Sequence, residues 1–166
     1  MSVMPSPAAA SDSIDTACWG TGTGSGGMQM IGCSTDRNGE HGVSIDATGN
    51  APILISGLMC RRDGALGASS GYAALLVSGP TVPVVVAGMT CYPGVNDDGT
   101  GTDGPEYGVS VSSPATYFAL SDAYLHAVTA GTNGLTTGNG AAWRNVATRA
   151  GSTGSPGSVT LVADSA

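Results

Sequence analysis

Lysine is absent from this chain, and its five basic residues are all arginine. Charged residues make up 10% of the sequence, against about 25% in ordinary domains. Long surface helices draw on Glu, Lys and Arg, so this scarcity disfavours a helical fold. Five scattered arginines in a chain of net charge −7 make a poor partner for nucleic acid, which needs clustered cations against its phosphates. The single basic pair, Arg61-Arg62, reads as a solvated turn. No apolar run reaches the roughly 18 residues of a membrane span. Residues 1–5 carry neither the basic start nor the apolar core of a secretory signal, so the expectation is synthesis in the cytoplasm and no membrane partner. Cys-x-x-Cys pairs are also missing, which removes the usual zinc knuckle.

Glycine and short apolar runs dominate what is present. There are 27 Gly in 166 residues, with 41% hydrophobic residues. That balance favours one domain of many short strands and tight turns, and it disfavours disorder, which goes with low hydrophobicity and high charge. Residues 1–27 read as an arm, with a short helix conceivable over 8–17 and a Gly-rich segment over 20–27. Residues 28–166 form the main body. The match of Gly22 to Gly27 to a dinucleotide-binding glycine pattern lacks its context, because a strand follows it rather than precedes it.

The body repeats itself. Ile53-Leu54-Ile55-Ser56-Gly57-Leu58-Met59-Cys60 has the same shape as Val84-Val85-Val86-Ala87-Gly88-Met89-Thr90-Cys91. Phe118 to Leu125 repeats it with Asp122 for the glycine, Ala141 to Thr148 repeats it faintly, and Met28 to Cys33 is a truncated copy. A second element precedes the main copies: His41 to Ile45, Ala73 to Val77, Tyr107 to Val111 and Asn133 to Thr137. Ile55 stands twelve residues after Val43, and Val86 stands eleven after Leu75. Insertions therefore fall after the first element, at Asp63 to Ser70, Pro93 to Glu106 and Val128 to Thr132. A unit of this size with two strands, tight turns and one variable loop is the sequence mark of stacked repeats.

Alternation with period two then assigns faces. Three inward columns follow: Met28, Ile55, Val86, Leu120, Trp143; then Ile31, Leu58, Met89, Ala123, Val146; then Cys33, Cys60, Cys91, Leu125, Thr148. Asp122 falls at the bend position of Gly57, Gly88 and Asn145. The cysteine column reads as stacked free thiols acting as small hydrophobes. Residues 143–150 also fit a helical stripe, but their alignment with earlier copies favours a strand, and residues 157–162 read as a closing strand.

This pattern resembles the right-handed parallel β-helix of the pectate-lyase and glycoside-hydrolase-28-like superfamily, as found in phage tail spikes and virion decoration proteins. The resemblance covers roughly residues 28–163. It implies an all-β fold, a short right-handed parallel β-helix solenoid of about five coils, or roughly 24 Å tall at 4.8 Å per coil, behind an N-terminal arm. It also implies a homotrimer, an expectation that the low surface charge reinforces.

Carboxylates decide between structure and catalysis. Asp46, Asp63, Asp97, Asp98, Asp103, Glu106 and Asp122 are the candidates, and glycoside hydrolysis needs two of them about 5 to 9.5 Å apart. None forms the clustered motif of polygalacturonase-like sites, and a lyase, which would want a Lys or Arg base near calcium carboxylates, finds no lysine here. The oxygen-rich loop Asn96 to Asp103 reads as a solvated Gly-Asp turn rather than a calcium loop. Tyr92 and Tyr124, on outward positions, together with Asp97, Asp98 and Asp103, are the candidate binding residues for a glycan or a neighbouring protein. The expectation is a non-enzymatic structural phage virion protein, a capsid decoration or tail-spike-like component. It would be made in the host cytoplasm, carry no metal or cofactor, and contact other virion proteins or host surface glycan. The alternative is a polysaccharide depolymerase domain, a glycoside hydrolase or lyase with carboxylates in a trimer groove.

Overall fold

The computed structural model describes residues 27–47, 51–64, 71–95, 102–112, 117–127, 130–133, 141–150 and 160–162. The N-terminal arm over residues 1–26, with its conceivable helix, and the loop carrying Asp97 and Asp98 lie outside these residues. Every element among the described residues is a strand, and no helix long and apolar enough to cross a membrane occurs among them.

Alternation builds the elements. β4 (Ile53–Ser56) and β7 (Val84–Ala87) each bury their first and third residues and turn the second outward. Branched side chains at those buried positions suit a pleated half-buried surface. The chain then bends at one residue and continues as β5 (Met59–Arg61) or β8 (Thr90–Tyr92). The first repeat supplies β1 (Met28–Ile31) and β2 (Ser34–Asp36). In the last two repeats the strand runs through the bend, giving β12 (Phe118–Ala127) and β14 (Ala142–Ala150). The region 143–150 is therefore strand and not helix.

Corresponding strands pair in parallel, repeat upon repeat. β1, β4, β7, β12 and β14 form one line, and β2, β5, β8 and the second half of β12 form the other, within a single sheet. A second sheet has the order β13 (Ala130–Asn133), β11 (Tyr107–Val111), β6 (Ala73–Ser78), β3 (Val43–Asp46), again all parallel. Two antiparallel pairs complete the fold. β9 (Gly94–Val95) meets β10 (Thr102–Asp103), and β15 (Thr160–Val162) closes against β14. The expected closing strand is present, and it runs opposite to the strand it covers.

The core lies between the two parallel sheets. Ile55, Val86 and Leu120 from the large sheet meet Val43, Leu75 and Val109 from the small one in one buried cluster. Each such side chain, fully buried, contributes about 1.5–3 kcal/mol of transfer free energy. Among the described residues no single repeat presents enough apolar surface to close a core alone, so stability comes from stacking.

Register confirms the columns from the second repeat onward and corrects the first. Met30, not Met28, faces Ile55, and Met28 lies opposite Ile53. Ile31 is 67% exposed and pairs with Ser56, so it does not stand in the Leu58 column. Thr35, not Cys33, is the register partner of Cys60. Matching Cys33 to Cys60 sets the first copy two residues out of the observed register. The governing match is Gly32 to Gly57, because the bend requires positive φ there. Gly32, Gly57 and Gly88 have φ of 62°, 66° and 67°, followed by Asp122 at 53° and Asn145 at 52°. Hydrogen bonds from Gly32 N to Ser56 O, Gly57 N to Ala87 O and Gly88 N to Ser121 O stitch this bend column together, at 2.8, 2.9 and 3.0 Å. In the small sheet, Val43, Leu75 and Val109 align as expected, but the fourth strand begins at Ala130 and puts Thr132 opposite Val109. The element expected at Asn133 to Thr137 thus lies earlier in the chain.

Candidate functional site

The second bend of the first two repeats gathers the polar chemistry. Arg37 and Arg62 hold left-handed backbone there, at φ of 58° and 54°. The Arg37 N–H donates to Arg61 O and the Arg62 N–H to Tyr92 O. This places Asp36, Arg61 and Tyr92 in one outward column on three successive strands, since Asp36 pairs with Arg61 and Arg61 with Tyr92.

Asp36 is the hub of that column. Arg62 Nε donates to its Oδ1 at 2.8 Å and Arg62 Nη2 to its Oδ2 at 2.5 Å, a two-pronged pairing. Arg61 Nη2 donates to the same Oδ2. The hydrogen bond from Arg62, with a further one from Arg61 and against some burial, holds the Asp36 carboxyl down at about 2. Arg62 also donates through Nη1 to Val95 O at 3.2 Å. Its stem runs against Gly94, where a Cβ would sit 2.8 Å from Arg62 Cγ. Arg62 is buried, so the expectation of a solvated Arg61-Arg62 turn holds only for Arg61.

Beneath this column lies a sealed carboxylate. Asp63 is 0% exposed. Its Oδ2 accepts from Thr35 Oγ1 at 2.7 Å, and its Oδ1 accepts from Asn38 N at 3.1 Å and from Asn38 Nδ2 at 3.0 Å. Gly42 packs so closely that an added Cβ would lie 2.4 Å from Asp63 Oδ2 and 2.6 Å from Ala74 O. Burial pushes the Asp63 carboxyl up, opposed by the hydrogen bonds from Thr35 and Asn38. One of the carboxylates that the sequence offers as a candidate acid, Asp63 is an interior clamp between the first two repeats.

The remaining candidates separate. Tyr92 and Tyr124 are both half-buried on the outer face of the large sheet. Tyr124 is opposite Thr90, so the two tyrosines stand one repeat and two residues apart. Asp103 lies in β10 with its backbone opposite Gly94, which brings the strand carrying it beside the Tyr92 corner. Asp97 and Asp98 lie outside the described residues. Asp122 sits at the bend, where its carboxylate accepts from Asn145 Nδ2 at 2.8 Å, and Glu106 Oε2 accepts from Gly71 N at 2.7 Å. Among the described residues no cluster of three or more His, Cys, Asp or Glu is placed to hold a metal ion.

Cys60 and Cys91 are register partners, buried and free, while Cys33 is half-buried and outside their column. Burial pushes the Cys60 thiol up to about 12 and raises Cys91 as well. Cys60 Sγ donates to Ala74 O at 3.6 Å, and Cys91 Sγ donates to His126 O at 3.4 Å. These are packed thiols, not nucleophiles.

The outer face of the large sheet is the other feature of note. Leu54 and Val85 are exposed register partners, flanked by Gln29 and Ala119, and Ile31 and Met59 are exposed on the same face. Comparison with protein-family models, with curated proteins and with solved structures finds no match for this chain.

Proposed function

We propose that this chain is a structural, non-enzymatic component of a phage virion, a capsid decoration or tail-spike-like protein. In this reading its repeats wind as a short right-handed parallel β-helix. Two parallel sheets visited in turn by successive repeats support the winding. The strong right-handed preference of parallel crossover connections supports its hand. The protein assembles as a homotrimer and presents its loops to neighbouring virion proteins or to host surface glycan.

The observation that carries this reading is the outer face of the large sheet. Its columns run Gln29, Leu54, Val85, Ala119, Ala142 and Ile31, Ser56, Ala87, Ser121, Arg144. Contiguous exposed apolar side chains on a sheet face mark contact surfaces. A threefold ring repeats one heterologous contact, so each copy sets this face against its neighbour. Small and apolar columns accept that without charge repulsion, and Arg144, the one charged member of these two columns, stands one repeat from Asp122.

Crosslinking and mass spectrometry of purified virions from the source of the sequence tests the assignment. Because the chain has no lysine, the reagent must join carboxylates. Crosslinks between copies of this chain and from it to capsid or tail proteins are expected. Absence of the chain from intact particles would overturn the proposal.

A further inference from the structure

We infer that His41 is an acid-released clasp at the head of the small sheet: neutral, it locks the entry to β6 against β3, and protonated, it lets that entry go. The inference stands apart from the proposed function and concerns a device within the fold.

The clasp rests on one hydrogen bond whose direction is fixed. The Ala73 N–H donates to His41 Nδ1 at 2.9 Å. A ring nitrogen that accepts carries no proton, so His41 is neutral with its proton on Nε2. Protonation would set an N–H on Nδ1 against the N–H of Ala73. Two donors cannot share one bond, so the charged ring and this hydrogen bond exclude one another. The bond therefore favours the neutral ring. The next residue grips Ala73 at its other end, where the Gly42 N–H donates to Ala73 O at 3.1 Å. Ala73 opens β6 and is fully buried. Its N–H, left without an acceptor in that position, would be costly, so release of His41 means movement of the strand entry.

Three successive repeats meet at this clasp. The Tyr72 ring stands edge-on to the His41 ring, with 5.4 Å between centroids. Tyr72 O accepts from the Tyr107 N–H of the next repeat at 3.1 Å. One residue earlier, the Gly71 N–H donates to Glu106 Oε2 at 2.7 Å. Residues 71–73 are thus held by His41 from one side and by Glu106 and Tyr107 from the other. Asp63 lies against Gly42, and Glu40 adjoins His41 in the chain. Glu40, Asp63, Tyr72, Glu106 and Tyr107 are the titratable groups around the ring among the described residues. Burial pushes His41 below its ordinary 6.5, and the Glu40 carboxylate opposes that shift.

Nuclear magnetic resonance of the full chain tests this. Long-range proton–nitrogen correlation of the His41 ring at pH 7.5 should show Nδ1 unprotonated. The hold of the clasp is whole above the ordinary 6.5 and is lost as pH falls below it towards the lowered value. An opened corner takes the proton at the ordinary value, so opening at pH 5 is favoured by up to about thirtyfold over pH 7.5. Hydrogen-exchange protection of the Ala73 amide, corrected for the intrinsic pH dependence of exchange, should fall at least tenfold over that range and follow the His41 titration. Val86, in the large sheet, should keep its protection. The rest of the stack stays folded when the corner opens, so the hold is read at Ala73 and not in an unfolding midpoint. His41→Gln offers an acceptor that does not titrate, and its Ala73 protection should be the same at both pH values. The ring correlation and the exchange titration use the parent alone, so they decide the matter even where the variant folds poorly. A His41 ring protonated on Nδ1 at pH 7.5, Ala73 protection unchanged through the His41 titration, or an equal loss of protection in folded His41→Gln would each overturn the inference.

Discussion

Asn145 donates its side-chain amide to the Asp122 carboxylate at 2.8 Å, and both residues hold left-handed backbone where earlier repeats use glycine. The bend column thus changes chemistry partway along the stack. Gly32, Gly57 and Gly88 meet the positive φ by lacking a Cβ. Asp122 and Asn145 meet it as the non-glycine residues that tolerate it best, and they add a hydrogen bond between repeats. Gly57→Ala should therefore cost about 1–2 kcal/mol. Asp122→Val should cost at least as much, because branching at Cβ adds to the strain, whereas Asp122→Gly should stay within about 1 kcal/mol of the parent. Urea unfolding reads all three, and an unchanged midpoint for Asp122→Val would contradict the assignment of this column.

The two aspartates of the polar corner should respond to acid in opposite senses. Asp36 has its folded-state carboxyl at about 2, below the ordinary 3.8, through its hydrogen bond from Arg62. Its contribution is present above about pH 4 and is lost as pH falls towards 2, and after screening at this partly exposed site it is worth about 1 kcal/mol. Burial raises Asp63, so the folded state gains stability as pH falls from that raised value to the ordinary one. Urea midpoints measured from pH 7 down to pH 2 should rise and then drop. Asp36→Asn should flatten the drop below pH 4, and an undiminished drop in that variant would remove Asp36 from the account.

Much of this fold was legible in the repeat. Ile55, Val86, Leu120 and Trp143 occupy one column as their spacing implies, and so do Leu58, Met89, Ala123 and Val146. The first repeat is obscured in the sequence because Cys33 resembles Cys60, whereas the backbone demand falls at Gly32. Glycine at a bend is the stronger marker, since φ there excludes most residues, whereas a small buried position accepts cysteine or threonine alike. The polar corner was hidden for a different reason. Asp36, Arg62 and Val95 are far apart along the chain, and nothing in their local sequence says that one repeat's acid will meet the next repeat's base. In sequence Asp63 resembles any loop carboxylate; Thr35 and Asn38, which enclose it, lie more than twenty residues away.

The thiols give a direct readout of that corrected register. In a Cys18→Ser background, Cys33 should react with a thiol reagent in the folded protein at pH 8. Cys60 and Cys91, buried and with Cys60 raised to about 12, should react only on unfolding. Peptide mapping after a timed pulse separates the three. Labelling of Cys60 as fast as Cys33 would place that column at the surface and reverse the face assignment of β5.

The central claim is that a rigid parallel stack uses its apolar outer sheet face to meet copies of itself. Sedimentation equilibrium at micromolar concentration measures this most directly. The account predicts three times the 16.2 kDa chain mass for the parent, and a folded monomer for Val85→Glu, which sets a charge in the exposed column between Leu54 and Ala119. A monomeric parent, or a Val85→Glu variant that assembles as the parent does, would contradict it.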